Sequence, residues 1–364
     1  MFSAIHQFVP MLIEGDAIGD HVLRLQALQR QAGRESEIFV DLVAPPTANL
    51  THPLDDLGRY LRHSESATES TLFVYHAAQA SRCAAVLLQR PEPLALVFHN
   101  FTPVGMIALW DPDVASNLML ASQQLDDLIG SAVLGIGDSQ FNADDLTERG
   151  MTHTTVVGLP APAPTPSSSS ESTTGHSRPT VLFVSRIAPN KGIHDLIAGA
   201  AVLKELIPDV EFRFVGGQTS QRYNEALTGF VESMDLESTV TFTGRISAER
   251  LESEYRRADL FCCLSDHEGF GLPLLEAMSR GLPVVAYDAA AVAETIGNAG
   301  LVLSDKAPHI VATALERVLD DPELRSLMRS RGYQHVTARS EERVAEQFEA
   351  ALKLTAQLVE QRQS

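Results

Sequence analysis

The most informative segment of this chain reads DHEGFGLPLLE, residues 266–276, and only Ser265 separates it from the apolar run 259–264. An apolar run, then a glycine-containing loop, then a proline in a first helical turn predict a strand, a loop and a helix in that order. Gly269 and Gly271 let backbone amides face a ligand without side-chain obstruction. The amides and dipole of the helix N-terminus would then attract a phosphate, so the segment predicts a ligand site.

Two carboxylates, Glu268 and Glu276, flank this loop. Carboxylates are poor phosphate ligands but good acceptors for hydroxyl groups, such as those of a sugar and a ribose. A glutamate pair at this spacing also occurs on solvated helix faces. The glycines, the proline and the preceding apolar strand favour the functional interpretation here.

A second motif, VLFVSRIAPNKG at residues 181–192, brings two cations to the end of another predicted strand. Arg186 follows the strand, and Lys191 stands where the next helix begins. Two cations beside a helix N-terminus can neutralise a diphosphate leaving group. Surface charges at a strand end are the alternative, and a second motif in the expected order makes that alternative weaker.

Strand and helix patterns alternate along both halves of the chain, which predicts parallel strands joined by right-handed crossovers. A length of 364 residues suggests two domains. We expect an N-terminal Rossmann-like domain over residues 1–160, a Pro/Ser-rich linker over 161–179, and a C-terminal Rossmann-like domain over 180–345. A final helix over 346–364 is expected to pack back on the first domain.

The composition limits the possible functions. A net charge of −19 argues against nucleic-acid binding, because the chain repels phosphate backbones. No uncharged apolar run is long enough to span a membrane, and the N-terminus does not look like a signal peptide, so a cytoplasmic location is expected. The three cysteines lack metal-ligand spacing and are typical of reduced core thiols.

At this point the residues resemble a known family, the retaining glycosyltransferases usually called family 4. These have two facing Rossmann-like domains (the GT-B fold) and include sucrose synthase relatives and bacterial mannosyltransferases of cell-surface polysaccharide and glycolipid assembly. The resemblance covers nearly the whole chain and is most specific in the second half. It rests on the Arg-x4-Lys pair, on Gly216-Gly217, on TGRI at 243–246 and on the Glu-x7-Glu element.

The resemblance implies roles for residues of the second half. Glu268 and the amides of 270–272 would hold the transferred sugar, Glu276 the ribose, and Ile246 the base. The donor-binding residues predicted in this half are Gly244, Arg245, Ile246, Gly269, Phe270, Gly271, Leu272 and Glu276.

In the first half, Gly15 and Asp16 resemble the family's glycine-containing first loop, which lies against the donor diphosphate. The stretch HNFTP at 99–103 resembles the His-Asn-Ile-Thr-Pro of bacterial relatives, which would put His99 near the reacting sugar carbon. A structural histidine capping a strand is the alternative. His76 and Asn100 are acceptor-side candidates.

The residues predicted to carry the chemistry are His99, Arg186, Lys191 and Glu268. The sequence offers no enzyme nucleophile, so the resemblance implies front-face displacement with retention of configuration. No Asp-x-Asp element is present, and we expect neither a metal nor a cofactor.

The sequence therefore predicts transfer of a hexose from a GDP-, UDP- or ADP-sugar to a carbohydrate or lipid-linked acceptor, with a peripheral membrane encounter possible through that acceptor. Two alternatives stay open: a two-domain nonhydrolysing nucleotide-sugar epimerase, and a catalytically silent, carbohydrate-binding assembly partner. A dehydrogenase is rejected, because Gly135-x-Gly137 lacks the third glycine of a dinucleotide fingerprint.

Overall fold

The computed structural model describes residues 2–63, 70–165 and 178–363. The chain forms two compact units. Unit 1 comprises Met1–Val104, Asp113–Leu159 and Glu341–Ser364, and unit 2 comprises Gly105–Pro112 and Pro160–Ser340. Each unit is built around one parallel sheet, as the alternating pattern predicts.

The sheet of unit 1 has seven strands in the described residues, in the spatial order β3-β2-β1-β4-β5-β6-β7, and all neighbours are parallel. The strands are β1 (Ala4–Met11), β2 (Ile38–Leu42), β3 (His52–Pro53), β4 (Thr71–Ala77), β5 (Leu94–Phe98), β6 (Leu134–Gly137) and β7 (Thr154–Val156). The helices in this part of the chain are α1 (Ala17–Gln31), α2 (Leu57–His63), α3 (Arg82–Leu87), α4 (Val104–Ile107), α5 (Pro112–Ile129) and α6 (Gln140–Glu148).

The sheet of unit 2 has six parallel strands in the described residues, in the order β10-β9-β8-β11-β12-β13. The strands are β8 (Thr180–Val184), β9 (Glu211–Val215), β10 (Val240–Gly244), β11 (Leu260–Cys263), β12 (Val284–Tyr287) and β13 (Leu301–Leu303). The helices are α7 (Ile193–Leu206), α8 (Gln221–Ser233), α9 (Ala248–Arg257), α10 (Leu272–Ser279), α11 (Val292–Ile296), α12 (Pro308–Asp320) and α13 (Pro322–Thr337). Helix α14 (Glu341–Gln363) belongs to unit 1.

The central strands are buried and rich in apolar residues, as expected for parallel sheets with helices on both faces, although β1 and β4 also carry buried polar side chains such as Gln7 and His76. In unit 1, Phe8, Phe73 and Phe98 lie in one buried cluster. In unit 2, Phe183 and Phe214 lie in another, and their rings are 5.7 Å apart. The parallel α/β organisation predicted from the alternating pattern is confirmed.

Two boundaries in the second half differ from expectation. The final helix begins at Glu341 rather than 346, because Val344 already packs in the same buried cluster as Phe348. Residues 161–165 of the predicted linker are bound to unit 2, since the amides of Ala161 and Thr165 donate to backbone carbonyls there at 3.0 and 2.8 Å. Residues 166–177 of that linker lie outside the described residues.

Gly105–Pro112 belongs to unit 2 although it lies within the first half of the chain. The Trp110 ring packs edge-on against Tyr223 at 5.1 Å, and the Ser220 hydroxyl donates to the Trp110 carbonyl at 2.8 Å. A contact between residues so distant in sequence leaves no local signal, which is why the predicted boundary at 160 misses it.

The three cysteines, Cys83, Cys262 and Cys263, are free and buried. Burial raises the pKa of the Cys83 and Cys263 thiols to about 11. Across the described part of the chain, no helix has both the length and the apolar character that crossing a membrane requires.

Candidate functional site

The loop between β11 and α10 carries the first sequence motif. Gly271 occupies the N-cap position of α10 with φ of 87°, a left-handed conformation that favours glycine, and Pro273 lies in the first turn. The Thr295 hydroxyl donates to the Phe270 carbonyl, and the Ala291 amide donates to the Glu268 carbonyl at 3.1 Å. The loop is therefore held by its own unit.

Glu268 is the best-defined side chain of this loop. Its Oε1 accepts from the Lys191 ammonium at 2.7 Å and from the Ser265 hydroxyl at 2.8 Å. The Lys191 and Glu268 side chains are only 9% and 12% exposed. Among the described residues no group donates to Oε2, so one oxygen orients the carboxylate and the other remains able to accept a hydroxyl.

The two sequence motifs meet because the backbones pass very close together. Gly192 has φ of 61°, and a Cβ there would lie 2.0 Å from the Leu264 carbonyl oxygen. The Asp266 amide donates to the Asn190 carbonyl at 2.9 Å. Lys191 and Glu268, predicted to contact different parts of a substrate, thus form an ion pair with each other.

Arg186 is the second predicted cation. It is exposed at the end of β8, and within the described residues it forms neither an ion pair nor a hydrogen bond. The residue before it, Ser185, lies against Gly216: a Cβ on residue 216 would be 1.7 Å from the Ser185 carbonyl oxygen, so position 216 requires glycine. Arg186 is therefore a cation that an anionic ligand can recruit without breaking an ion pair.

Glu276 is held by Tyr255, a residue that the sequence analysis missed. The buried Tyr255 hydroxyl donates to Glu276 Oε2 at 2.7 Å, and the Arg280 guanidinium lies 4.4 Å from the centre of the Tyr255 ring. Burial, with Glu276 adding to it, raises the pKa of Tyr255 well above its ordinary value, so the phenol stays a donor. As in Glu268, one carboxylate oxygen is fixed and Oε1 has no donor among the described residues.

The remaining donor-site candidates surround α10 and the end of β10. Gly244 ends β10 with φ of 68°, Arg245 is exposed, and Ile246 and Phe270 both pack against the buried cluster that contains Tyr255. The structure thus places the predicted residues of this half at the carboxyl ends of β8, β10 and β11.

Lys306 also stabilises this site through ion pairs, and no local sequence pattern predicts that role. Its ammonium lies 2.5 Å from Asp195 and 2.6 Å from Asp266, and 5.0 Å from the centre of the Tyr287 ring. The ion pairs tie the start of α7 to the loop before Glu268. Lys306 stands forty residues after Asp266, so only the folded chain shows the link.

In unit 1, Gly15 and Asp16 lie exposed in the loop after β1. Gly15 has φ of 77°, and its amide donates to the Asp20 carboxylate at 2.9 Å. The Asp16 side chain makes no capping bond although it occupies the N-cap position of α1. Both positions are open at the carboxyl end of β1.

His99 and His76 are bonded to each other rather than exposed. His99 Nε2 lies 3.0 Å from His76 Nδ1, and His99 Nδ1 lies 2.7 Å from Asp138 Oδ2. Both ring nitrogens of His99 are thus engaged by the protein. His76 is completely buried, so its ring lines no surface, contrary to its expected place on an acceptor surface.

Asn100 directly follows in a left-handed conformation, with φ of 71°. Its side-chain amide donates to Asn142 at 2.7 Å, and Asn142 in turn donates to the Phe98 carbonyl at 3.2 Å. The Ser139 hydroxyl accepts a hydrogen bond from the backbone N–H of Asn142 and so caps the N-terminus of α6. The structure therefore joins His99 to Asp138, which precedes α6, and joins Asn100 to Asn142, which lies in the first turn of α6.

Within the residues that the structure describes, no group of three or more His, Cys, Asp or Glu side chains is arranged to hold a metal ion.

Comparison with known proteins identifies a matching family and relatives that share part of the chain. Residues 166–335 match the family described as glycosyl transferases group 1. Over 153 residues the chain is 37% identical to an alpha-D-kanosaminyltransferase of Streptomyces kanamyceticus, covering 42% of this chain and 39% of that protein. Over 170 residues it is 31% identical to a GDP-mannose-dependent alpha-(1-6)-phosphatidylinositol monomannoside mannosyltransferase of Mycobacterium tuberculosis, covering 44% and 43%. The chain thus matches less than half the length of these relatives.

Solved structures match over nearly the whole chain. A sucrose-phosphate synthase from Thermosynechococcus elongatus superposes with a TM-score of 0.74 at 20% identity, covering 96% of this chain and 98% of that one. The Anabaena protein HepE, solved in complex with UDP and glucose, gives 0.73 at 19% identity, covering 96% and 99%. These similarities show the fold, which is GT-B.

Proposed function

We propose that this chain, whose residues 166–335 match the glycosyl transferases group 1 family, transfers a hexose from a nucleotide-diphosphate sugar to a carbohydrate or lipid-linked acceptor. The observation that carries the proposal is the Lys191–Glu268 ion pair, together with the exposed Arg186 that follows β8. These residues combine two cations that can bind a diphosphate with a carboxylate that can accept hydrogen bonds from sugar hydroxyls. Named relatives that transfer kanosamine or mannose, and a structural neighbour solved with UDP and glucose, support it.

Arg186 and Lys191 act on the leaving group. An ammonium has three donors, and Lys191 gives one to Glu268, so two remain for phosphate oxygens. Arg186 offers a planar fork that suits a phosphate. Both cations stabilise the charge that develops on the diphosphate as the glycosidic bond breaks.

The two carboxylates orient the donor. Glu268 Oε2 accepts from a hydroxyl of the sugar, and Glu276 Oε1 accepts from a hydroxyl of the ribose. In each, the other oxygen is already bound inside the unit, so the carboxylate needs no reorganisation when the donor binds. Each carboxylate is fully committed to these contacts, which leaves neither as a nucleophile.

The reaction then proceeds on one face of the sugar and retains the configuration. The bond from the anomeric carbon to the diphosphate oxygen breaks, the acceptor oxygen bonds to the same carbon from the same side, and the acceptor proton passes to the departing diphosphate. No metal is needed, because Arg186 and Lys191 supply the positive charge. We place the reaction in the cytoplasm, where thiols such as these buried free cysteines stay reduced.

A thermal-shift series tests the donor site. The purified chain is heated with GDP, UDP, ADP and their sugar conjugates, with and without EDTA. A ligand at 100 times its dissociation constant stabilises the folded chain by about 2.7 kcal/mol. We expect one nucleotide class to raise the melting temperature, with EDTA making no difference.

Matched variants locate the response. Glu276→Gln keeps the shape but removes the charge and should abolish most of the shift, whereas Glu237→Gln, an exposed residue before β10, should keep it. For the conjugate that binds, slow release of free sugar and the anomeric configuration of the product are then read by NMR. No shift with any nucleotide, or an inverted product, would overturn the proposal or its retaining mechanism respectively.

A further inference from the structure

A continuous chain of side chains crosses four neighbouring strands of unit 1. It runs from Gln7 in β1, through His76 in β4 and His99 just after β5, to Asp138 just after β6. The successive contacts measure 3.0 Å, 3.0 Å and 2.7 Å. All four side chains are buried, with His99 and Asp138 only 2% and 3% exposed.

Gln7 fixes the direction of the chain. Its side-chain nitrogen donates to the Val22 carbonyl at 2.9 Å, so its oxygen faces His76 and can only accept. His76 Nε2 must therefore carry a proton. A neutral His76 then has a bare Nδ1, and that nitrogen accepts from His99 Nε2.

The proton count follows. Three hydrogen bonds link the four side chains, and each needs one proton. Two neutral imidazoles supply two protons, and Gln7 supplies none. A third proton must lie between His99 Nδ1 and Asp138 Oδ2. With it the four side chains have zero net charge, whereas without it a buried carboxylate has no counter-charge.

The neighbouring histidines do not take this proton. Burial, and then the nearby His99 and His21, hold the pKa of His76 well below its ordinary value. Burial lowers the pKa of His21 to about 4, with Arg24 and His99 lowering it further and Asp138 opposing them. The His21 ring centre lies 6.0 Å from that of His76 and 5.9 Å from that of His99.

We infer that Asp138 holds His99 as an imidazolium ion, and that Asp138, His76 and Gln7 are positioning residues for the segment that begins at His99. Because both ring nitrogens donate within the unit, His99 is neither a general base nor a ring-nitrogen ligand for the donor sugar. Its hydrogen bonds connect the carboxyl ends of β4, β5 and β6. Asn100, the next residue, follows in a left-handed conformation. The effect on catalysis rests on the proposed transferase function, whereas the protonation state does not.

NMR of the full chain with 15N-labelled histidine tests the protonation state. At pH 7 we expect one-bond N–H couplings on both ring nitrogens of His99 and on Nε2 alone of His76, with resonances assigned by His76→Gln and His99→Gln. A single ring proton on His99 in the wild-type chain would overturn the inference, whatever the variants do.

Asp138→Asn separates charge from geometry. An asparagine amide can donate to His99 Nδ1, so all three hydrogen bonds persist with His99 neutral. We expect the variant to fold and His99 to lose its Nδ1 proton. The donor-induced thermal shift should remain, while kcat falls by about tenfold because the segment is held less exactly. Asp144→Asn, the same change on the exposed face of α6, should alter none of these quantities.

The two proposals fail separately. If no nucleotide sugar binds or reacts while His99 still carries two ring protons, the transferase proposal fails and the protonation state stands. If donors bind and react but His99 keeps both ring protons in Asp138→Asn, the inference fails and the transferase proposal stands. The same holds if His99 loses the proton in that variant and kcat is unchanged.

Discussion

The Lys191–Glu268 pair makes a quantitative prediction about stability. Lys191→Met removes the cation but keeps most of the side-chain volume. It leaves a carboxylate that is 12% exposed and that, among the residues the structure describes, keeps the Ser265 hydroxyl as its one donor. Breaking a buried ion pair by removing one partner costs about 3–5 kcal/mol. Since the Ser265 bond remains, we expect a loss of about 3 kcal/mol in the free energy of unfolding, at the lower end of that range.

A double-mutant cycle isolates the pair. Glu268→Gln should cost about 2 kcal/mol, since its amide oxygen still accepts from Lys191 and Ser265. Lys191→Met/Glu268→Gln leaves no unpaired charge, so the double variant should lose little more than Lys191→Met alone. The coupling energy should therefore reach about 2 kcal/mol.

The chain provides its own probe for this measurement. Trp110 is the only tryptophan, and it belongs to unit 2, where it packs against Tyr223. Urea unfolding followed by its fluorescence therefore reports the unit that contains the ion pair. The control is Arg317→Met, which breaks an ion pair whose arginine is 70% exposed and should leave the free energy of unfolding nearly unchanged. Additive single variants would refute the reasoning, because they would mean that Lys191 and Glu268 do not depend on each other.

Two further predictions concern backbone strain and pH. Gly192→Ala places a Cβ 2.0 Å from the Leu264 carbonyl oxygen, at a residue with a left-handed backbone. In the same urea assay it should lower the free energy of unfolding by about 2 kcal/mol or more, and it should weaken nucleotide binding. Gly244 is also left-handed but has open space around it, so Gly244→Ala should lower the free energy of unfolding by only about 1 kcal/mol. The folded-state pKa of His21, about 4, lies below its unfolded value, so the stability it supports is present above pH 6.5 and is lost as the pH falls. Between pH 7 and pH 5 this residue should account for about 2 kcal/mol of lost stability, and His21→Gln should lose correspondingly less over that range; an unchanged pH dependence would contradict it.

The sequence predicts the fold and the donor motifs because both are local. The apolar run before Asp266 specifies a buried strand, and the glycines and Pro273 specify the loop and helix that follow. The same holds for the strand and turn that carry Arg186 and Lys191. Parallel strands of one sheet end at the same edge, so local assignments are enough to bring these motifs together.

The supporting residues are not predictable in this way. Tyr255, on α9, binds Glu276 on α10, and Lys306 binds Asp195 and Asp266 from beyond β13. None of these residues carries a motif, and each contact depends on how helices pack after the sheet has formed. Asp138 could have been noticed, since it follows β6 as His99 follows β5, but its proton balance depends on the orientation of Gln7.

In the reaction proposed for this chain, the same internal contacts would keep the donor site ordered as its ligand changes charge. When the glycosidic bond breaks and the nucleotide diphosphate leaves, Lys191 loses an anionic partner but keeps Glu268, and Glu268 keeps Ser265. Glu276 likewise keeps Tyr255. Lys191, Glu268 and Glu276 thus each keep a partner within unit 2, so in the proposed reaction binding and release change only their contacts with the substrate. Positioning of this kind lowers the reorganisation needed at each turnover, and it predicts that the internal partners matter for catalysis although none of them touches the substrate.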